Sequence, residues 1–402
     1  MTLISIQFFA LALVAIFCSI LFTGRLRALV FFLANLTFVF SYLTPVGMAS
    51  TLGFCAVGYA FIRLALAGKK WALPVGAAVL IVAFVFMRNY AFLRLLLPGW
   101  MLSNVLATVG LSFLLFKILH ILIDASGGFL EECDPLLFAN YALNFTTFLI
   151  GPLQRFESFR DQWNGVEDTL PRNFSEQLGA VTRILRGLVK KFVLAEALSP
   201  YILNSPSVDF HSVSGSAILL KAYAYYAYLY CDFSGYCDIV IGVGTLMGLR
   251  PPENFNLPFL ARNTAEFWLR FHRSLTMWLT DYVFTPLYAS GLRRWTSRSA
   301  ALPILLLALM ATMVVSGLWH GTTLAFLIFG IMHGTYMVIY RLYDSGLKAI
   351  FPAKRVAALT HNPAMTALAV VVTFHAVAFA GLCFILTGKQ MGQVASKIIH
   401  LL

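Results

Sequence analysis

The fold class predicted for this chain is an all-α polytopic membrane protein, and three observations predict it. Of 402 residues, 60% are hydrophobic and only 11% charged, with a mean hydropathy of +0.81. A soluble domain carries roughly 25% charged residues because its surface faces water. Crossing about 30 Å of hydrocarbon takes roughly 20 apolar residues, and the chain offers such runs almost end to end. Its 29 Lys and Arg against 17 Asp and Glu give a net charge of +12. The basic excess falls between apolar runs, as Arg25 and Arg27, Lys69 and Lys70, Lys190 and Lys191, and Arg293 and Arg294. That is the pattern of juxtamembrane anchors on anionic lipid, and it argues against a nucleic-acid surface.

In chain order the apolar runs are 3–23, 28–43, 46–67, 73–87, 101–123, 136–153, 178–197, 214–247, 276–290, 301–318, 322–343 and 366–387. They predict about ten to twelve membrane-embedded helices in a single domain over 1–402, because no polar linker separates two folded units and no internal repeat is present. The first run lacks a basic leading segment and is too long for a signal-peptide core, so a retained span is expected. Arg25 and Arg27 follow it, which predicts an N-terminus facing away from the cytoplasm.

Three polar stretches interrupt the pattern. Residues 151–172 (GPLQRFESFRDQWNGVEDTLPR) mix Phe and Trp with charges at helical spacing, which predicts an amphipathic helix in the interface. Residues 250–281 are the most polar part of the chain and hold Pro251, Pro252 and Pro258. A continuous spanning helix is excluded there, and a re-entrant segment is expected, tolerated at membrane depth where protein buries it or water lines it. Residues 316–323 (SGLWHGTT) set a histidine between two glycines at the edge of an apolar run.

That histidine, His320, is the first candidate for chemistry. A lone His at a helix end is ordinarily an interfacial cap. Here Gly317 and Gly321 permit close backbone approach, Trp319 precedes it, and His333 follows within the next apolar run. Ionisable groups inside a bilayer are costly and therefore functional by default, and imidazole suits proton abstraction near neutral pH. His272 lies between Arg270 and Arg273 in FWLRFHRSLTMW. Those arginines favour the neutral ring and equally suit phosphates of a nucleotide-like donor or an acidic carrier protein. For Asp232, Asp238, Glu253, Glu266 and Asp281 the ordinary reading is salt bridges to Arg262, Arg270 or Arg273. The tyrosine run from Tyr223 to Tyr230 reads as an aromatic belt or a pore lining, and Gly242 and Gly244 as helix-packing residues. The six cysteines are scattered without a CxxC, and no His/Asp/Glu cluster has ligand spacing, so no disulfide framework and no metal site are expected.

Three blocks carry a resemblance: DFSGYCDIVIG (Asp232–Gly242), ENFNLPFLARNTAEFWLRFHRSLTMWLTDYVFTPL (Glu253–Leu287) and SGLWHG (Ser316–Gly321), with a weaker echo in FLIGPLQRFESF (Phe148–Phe159). In this order and spacing the chain resembles the membrane-bound O-acyltransferase family (MBOAT). More narrowly it is similar to the bacterial branch holding the alginate O-acetylation membrane protein and the D-alanine transfer protein of teichoic acid synthesis. The blocks cover about a quarter of the chain. The resemblance implies helices in a ring around a central pore, a catalytic His320, and a second active-site residue at His272. His333 has a counterpart in some members only. The segment after Pro286, LYASGLRRW, lacks the glycine-rich continuation of the alginate type.

The expected chemistry is transfer of a small acyl group, acetyl or similar, from a cytoplasmic thioester to a hydroxyl of an envelope polysaccharide or a partner protein. His320 is the expected base. His272, Asn254, Asn256, Arg270, Arg273, Trp319, Ser316 and His333 are the expected contacts to donor, acceptor or oxyanion. No bound cofactor is expected. The donor is a substrate and stays open between acetyl-CoA and an acyl carrier protein. Expected partners are membrane lipids and an envelope-side serine-hydrolase-like protein, with no nucleic acid, and the expected location is a bacterial inner membrane. The competing class is a transporter or flippase of an envelope precursor, since broken helices and a midplane histidine are also transporter features.

Overall fold

A computed structural model describes residues 4–90, 92–93, 110–165, 170–171, 173–202 and 209–399. Among the described residues the regular structure is helical, with one isolated bridge between Phe255 and Phe271. Among the described residues five helices are long and apolar enough to cross a bilayer: Gly24–Tyr42, Pro45–Leu66, Ala301–His320, Leu324–Ile350 and the Pro363–Phe384 segment. Ile6–Leu21 and Ala72–Met87 are shorter apolar helices. The first part of the expected 101–123 span lies outside the described residues, and Leu111–Ser126 is helical. Two compact units are distinguished, Met1–Leu188 with Tyr236–Glu253, and Val189–Gly235 with Asn254–Leu402.

In the first unit the expected 136–153 span stops early, because the helix Pro135–Ala142 ends and turns follow. Buried side chains take up the backbone groups that such a break releases, as hydrocarbon depth demands. Lys117 Nζ donates to Tyr141 O at 3.0 Å and to Thr147 Oγ1 at 2.9 Å. Asn35 Oδ1 accepts from Phe145 N at 2.9 Å, and Asn140 Nδ2 donates to Ala28 O at 2.9 Å. His120 Nε2 accepts from Phe156 N at 3.1 Å. Arg27 departs from its expected role as a lipid anchor: it is buried, lies 4.2 Å over the Trp163 ring and donates to Trp163 O at 3.2 Å. Arg25 is exposed.

Of residues 151–172, Phe156–Asn164 form a helix that buries Phe156, Phe159 and Trp163 and leaves Glu157 exposed. Gly242 packs against the Phe174–Val189 helix, where an added Cβ would lie 2.8 Å from Ala180 O. Asp238 is buried and pairs with Arg183 and Arg186 at 3.1 Å each, while Glu253 takes Arg183. These partners differ from the arginines expected for those two carboxylates, because the helix carrying Arg183 and Arg186 packs along the buried face that bears Asp238.

In the second unit the helices Ala301–His320 and Leu324–Ile350 form a hairpin whose backbones nearly touch. A Cβ added at Gly317 would lie 2.3 Å from Phe326 O, and one at Gly330 would lie 2.6 Å from Met313 O. Small residues at the crossing allow this approach, the usual way membrane helices maximise packing. Within the tyrosine run Tyr225 and Tyr226 are buried while Tyr223, Tyr228 and Tyr230 are half-buried; Tyr226 packs with Phe259 at 4.9 Å, Phe374 at 5.4 Å and Phe267 at 6.1 Å between ring centroids. Asp232 pairs with Lys191, and Glu266 with Arg262 and Arg270. Residues 250–281 contain the short helices Thr264–Arg270 and Arg273–Leu279, followed by a π-helical turn at Thr280–Phe284.

Candidate active site

His320 is the last residue of the Ala301–His320 helix, and Gly321 caps it in extended conformation. Glycine is required at 321 by space: the Phe326 ring lies 2.0 Å from where a Cβ would sit. The imidazole is half-buried in an aromatic box of Trp319 at 4.9 Å, Phe384 at 5.3 Å and Phe329 at 5.6 Å, measured between ring centroids.

His272 joins this box from the polar segment. Its ring centroid is 6.4 Å from that of His320, 6.1 Å from Trp319 and 4.9 Å from Phe233. It is 2% exposed and adopts φ 50°, ψ 47° at the start of the Arg273–Leu279 helix. A left-handed conformation costs an L-residue roughly 1–2 kcal/mol, so the surroundings must impose it.

Asn254 supplies that constraint. Its carbonyl accepts from Arg273 N at 3.0 Å, and its Oδ1 accepts from Ser274 N at 3.1 Å and Ser274 Oγ at 2.9 Å. Asn256 N donates to Arg270 O at 2.8 Å, closing the ladder on the other side of the Phe255–Phe271 bridge. The turn bearing His272 is thus stitched to 254–256 on both flanks.

The remaining sequence candidates fall in different places. Trp319 is buried beside the two imidazoles, its ring forming the third corner of a triangle with theirs. Ser316 is fully buried one helical turn before His320, and its Oγ has no hydrogen-bond partner among the described residues. His333 is buried beside Phe329 at 4.6 Å and Trp268 at 5.0 Å, and its Nδ1 likewise has no hydrogen-bond partner among the described residues. Phe329 touches both His320 and His333, so it stands between them. Asn256 is exposed, and Arg270 is committed to Glu266 at 2.8 Å and to Asn256 O at 3.2 Å. Arg273 is half-buried beside His272. The structure therefore brings together His320, His272 and Trp319, with Ser316 behind them and His333 one aromatic ring away; it does not bring the Asn256 and Arg270 side chains to that cluster.

Phe233, Phe329 and Phe384 were not legible as site residues, since in the sequence they are three among 36 phenylalanines. Ser274 was equally silent, its role existing only through Asn254.

Two imidazoles side by side in an apolar box, one of them half-accessible, can exchange a proton with a bound hydroxyl while staying out of bulk water. Among the described residues no three His, Cys, Asp or Glu gather to hold a metal ion.

Comparison with known proteins places the chain in a family. The family model described as MBOAT, membrane-bound O-acyltransferase, matches residues 60–385. A teichoic acid D-alanyltransferase of Bacillus subtilis (strain 168) is 31% identical over 71% of this chain and 70% of its own length. One from Streptococcus thermophilus is 32% identical over 70% of this chain and 69% of its own. A probable alginate O-acetylase AlgI of Azotobacter vinelandii is 36% identical over 64% of this chain, and the match spans only 50% of that relative's length. The chain belongs to the membrane-bound O-acyltransferase family and is an integral membrane O-acyltransferase.

Proposed function

We propose that this enzyme moves a small acyl group from a cytoplasmic thioester, through a pore ringed by about ten to twelve embedded helices, to a hydroxyl on the envelope side. His320 is the general base. It takes the proton of the acceptor hydroxyl as that oxygen attacks the thioester carbonyl. The tetrahedral intermediate then collapses, the C–S bond breaks, and the thiolate takes up the proton that His320 returns. Because a thioester is already activated, the protein has mainly to deprotonate and position. His272 lies beside His320, 6.4 Å between ring centroids, where it positions the donor or the oxyanion, and Asn254 holds His272 in place. Trp319 closes one wall and keeps water away from the reacting carbonyl.

The observation that carries this reading is the 6.4 Å approach of the His320 and His272 rings, with Trp319 beside both. One histidine ends an apolar helix and the other is held in a left-handed turn of a different segment. Convergence from two elements onto one apolar box has no structural need to satisfy.

The relatives named as D-alanyltransferase and O-acetylase support a small acyl group and an envelope polymer as acceptor. The donor is acetyl-CoA or an acyl group on a carrier protein. An envelope-side serine-hydrolase-like partner passes the group on, and the enzyme sits in a bacterial inner membrane with its N-terminus outside the cytoplasm.

The test is transfer from a radiolabelled acyl thioester to a hydroxyl acceptor by purified protein. His320→Ala and His320→Gln should lose more than 99% of turnover with an unchanged melting temperature, since removing a general base costs about 10²–10⁴-fold. Turnover above a tenth of the parent value in either variant refutes the assignment.

A further inference from the structure

Two elements of the second unit carry side chains of the His320 box and side chains of an apolar cavity at once. Leu382–Phe384 is one turn of 3-10 helix, in which successive side chains point about 120° apart. The Phe384 ring lies 5.3 Å from the imidazole, while Leu382 and Cys383 are buried and line a cavity of about 400 Å³. The Leu324–Ile350 helix is divided in the same way: Phe329 lies 5.6 Å from His320, and Ile328 and Met332 line the cavity. The two elements meet at Phe384, whose half-buried ring packs against Phe326 at 5.1 Å and Phe329 at 4.9 Å.

The cavity suits hydrocarbon. Its lining is apolar apart from the Cys383 thiol. Its volume is more than ten times the roughly 30 Å³ that one water occupies in the liquid, so a chain of several carbons fits. The other side of the box is different in kind, because buried His333 stands behind Phe329 at 4.6 Å. A growing acyl tail finds apolar volume beyond Phe384 and a polar ring beyond Phe329, and burying hydrocarbon favours the first direction.

We propose that Phe384 sets the length of the acyl group this enzyme accepts. Its ring closes the seam between the imidazole and the cavity, so a short acyl group fits the aromatic box and a long one is refused. The proposal rests on the reading of His320 as the base beside the thioester carbonyl, and it adds the residue that selects the donor. The bonds are the same at every chain length. The acceptor oxygen bonds to the acyl carbon, the C–S bond breaks, and the thiol leaves with the proton that the hydroxyl gave up. Only the seat of the tail changes. One methylene too many or too few in an apolar pocket is worth about 10- to 200-fold in discrimination, so a phenyl ring in the path is enough to reject a tail of several carbons.

The experiment uses the purified full-length enzyme, labelled acetyl-, butyryl-, hexanoyl- and octanoyl-pantetheine as donors, and glycerol as the hydroxyl acceptor. Pantetheine is the arm common to coenzyme A and acyl carrier proteins. The parent should prefer acetyl to octanoyl by about 100-fold in kcat/KM. Phe384→Ala should move that ratio toward octanoyl by about tenfold or more. Phe384→Leu keeps an apolar side chain, which guards against poor folding of the alanine variant, and should move the ratio by about threefold or more. Gly392 lines the cavity, and a Cβ there meets nothing within 4 Å. Adding Gly392→Leu to Phe384→Ala should therefore cancel the octanoyl gain, and Gly392→Leu alone should leave acetyl transfer at the parent rate. Binding needs no base, so ligand-induced melting shifts read the wall separately: octanoyl-pantetheine should stabilise Phe384→Ala more than the parent. If His320→Ala keeps its turnover while that shift appears, the base assignment fails and the length gate stands. A parent that takes octanoyl as readily as acetyl overturns the proposal. So does equal stabilisation of the parent and Phe384→Ala by octanoyl-pantetheine, and so does an octanoyl gain that survives Gly392→Leu.

Discussion

Asn254→Ala should cripple the enzyme without touching either imidazole. The Asn254 Oδ1 accepts from both the amide and the hydroxyl of Ser274, and Asn254 is 1% exposed. Truncation strips a buried amide and a buried hydroxyl of an acceptor, and an unmet buried donor costs roughly 1–3 kcal/mol. The two together cost about 2–6 kcal/mol. Holding His272 left-handed costs only about 1–2 kcal/mol, so the loss exceeds what is needed to release that turn. Once released, the His272 ring is free to leave its place beside Trp319, and a 1 Å misplacement costs about 100-fold in rate. The assay is steady-state transfer from a soluble thioester, with melting followed in the same detergent. The expected result is a kcat lower by 10- to 100-fold and a smaller change in KM. Asn254→Asp keeps an acceptor oxygen at the Oδ1 position and should recover part of the rate, whereas Ser274→Ala, which retains the hydrogen bond from its backbone N–H to Asn254 Oδ1, should be milder than Asn254→Ala. If Asn254→Ala runs within twofold of the parent rate, Asn254 does not position His272.

Other outcomes follow from the same geometry. Gly317→Ala places a Cβ 2.3 Å from Phe326 O and 2.9 Å from Gly330 Cα; overpacking of this kind costs about 1–3 kcal/mol, and both melting temperature and turnover should fall, because the helix that moves ends in His320. His272→Asn should fold better than His272→Ala, since asparagine tolerates positive φ, and a melting comparison checks the order. Lys117→Met keeps the length of the stem but leaves Tyr141 O and Thr147 Oγ1 without their donor; a loss of about 1–3 kcal/mol, read as a lower denaturation midpoint, is expected. Arg27→Met should likewise destabilise, through loss of the contact over Trp163, whereas Arg25→Met, at an exposed position, should leave the melting temperature unchanged.

The charged residues show where a one-dimensional reading reaches its end. Arg25 and Arg27 are two residues apart and were expected to act alike as lipid anchors. One is exposed, and the other sits inside on an indole and two carbonyls. Pairing shows the same limit: Glu266 finds Arg262 and Arg270 one helical turn away on either side, a local relation visible in the spacing. Asp238 instead finds Arg183 and Arg186 on a separate helix more than fifty residues earlier, and no spacing announces that. Of the tyrosines from 223 to 230, expected as a belt or a pore lining, Tyr225 and Tyr226 are buried and the others half-buried, because only the neighbouring helices decide which faces stay exposed.

What the sequence determined alone is whatever depends on solvent and on local backbone chemistry. Apolar runs of spanning length settled the bilayer as solvent, prolines 251, 252 and 258 forbade a straight helix through the polar segment, and SGLWHG placed a histidine at a helix end. The tertiary structure decided which polar groups meet. It halted the 136–153 helix at Ala142, where buried Lys117 donates to Tyr141 O and buried Asn35 accepts from Phe145 N as the ladder breaks. It turned Asn254 into a clamp and drew His272 to His320, and it carried Asn256 and the Arg270 side chain elsewhere. Hydropathy is a property of each residue summed along a window. A hydrogen bond between residues 254 and 274, or two rings meeting from residues 272 and 320, is a property of packing, and only the folded chain brings those partners together.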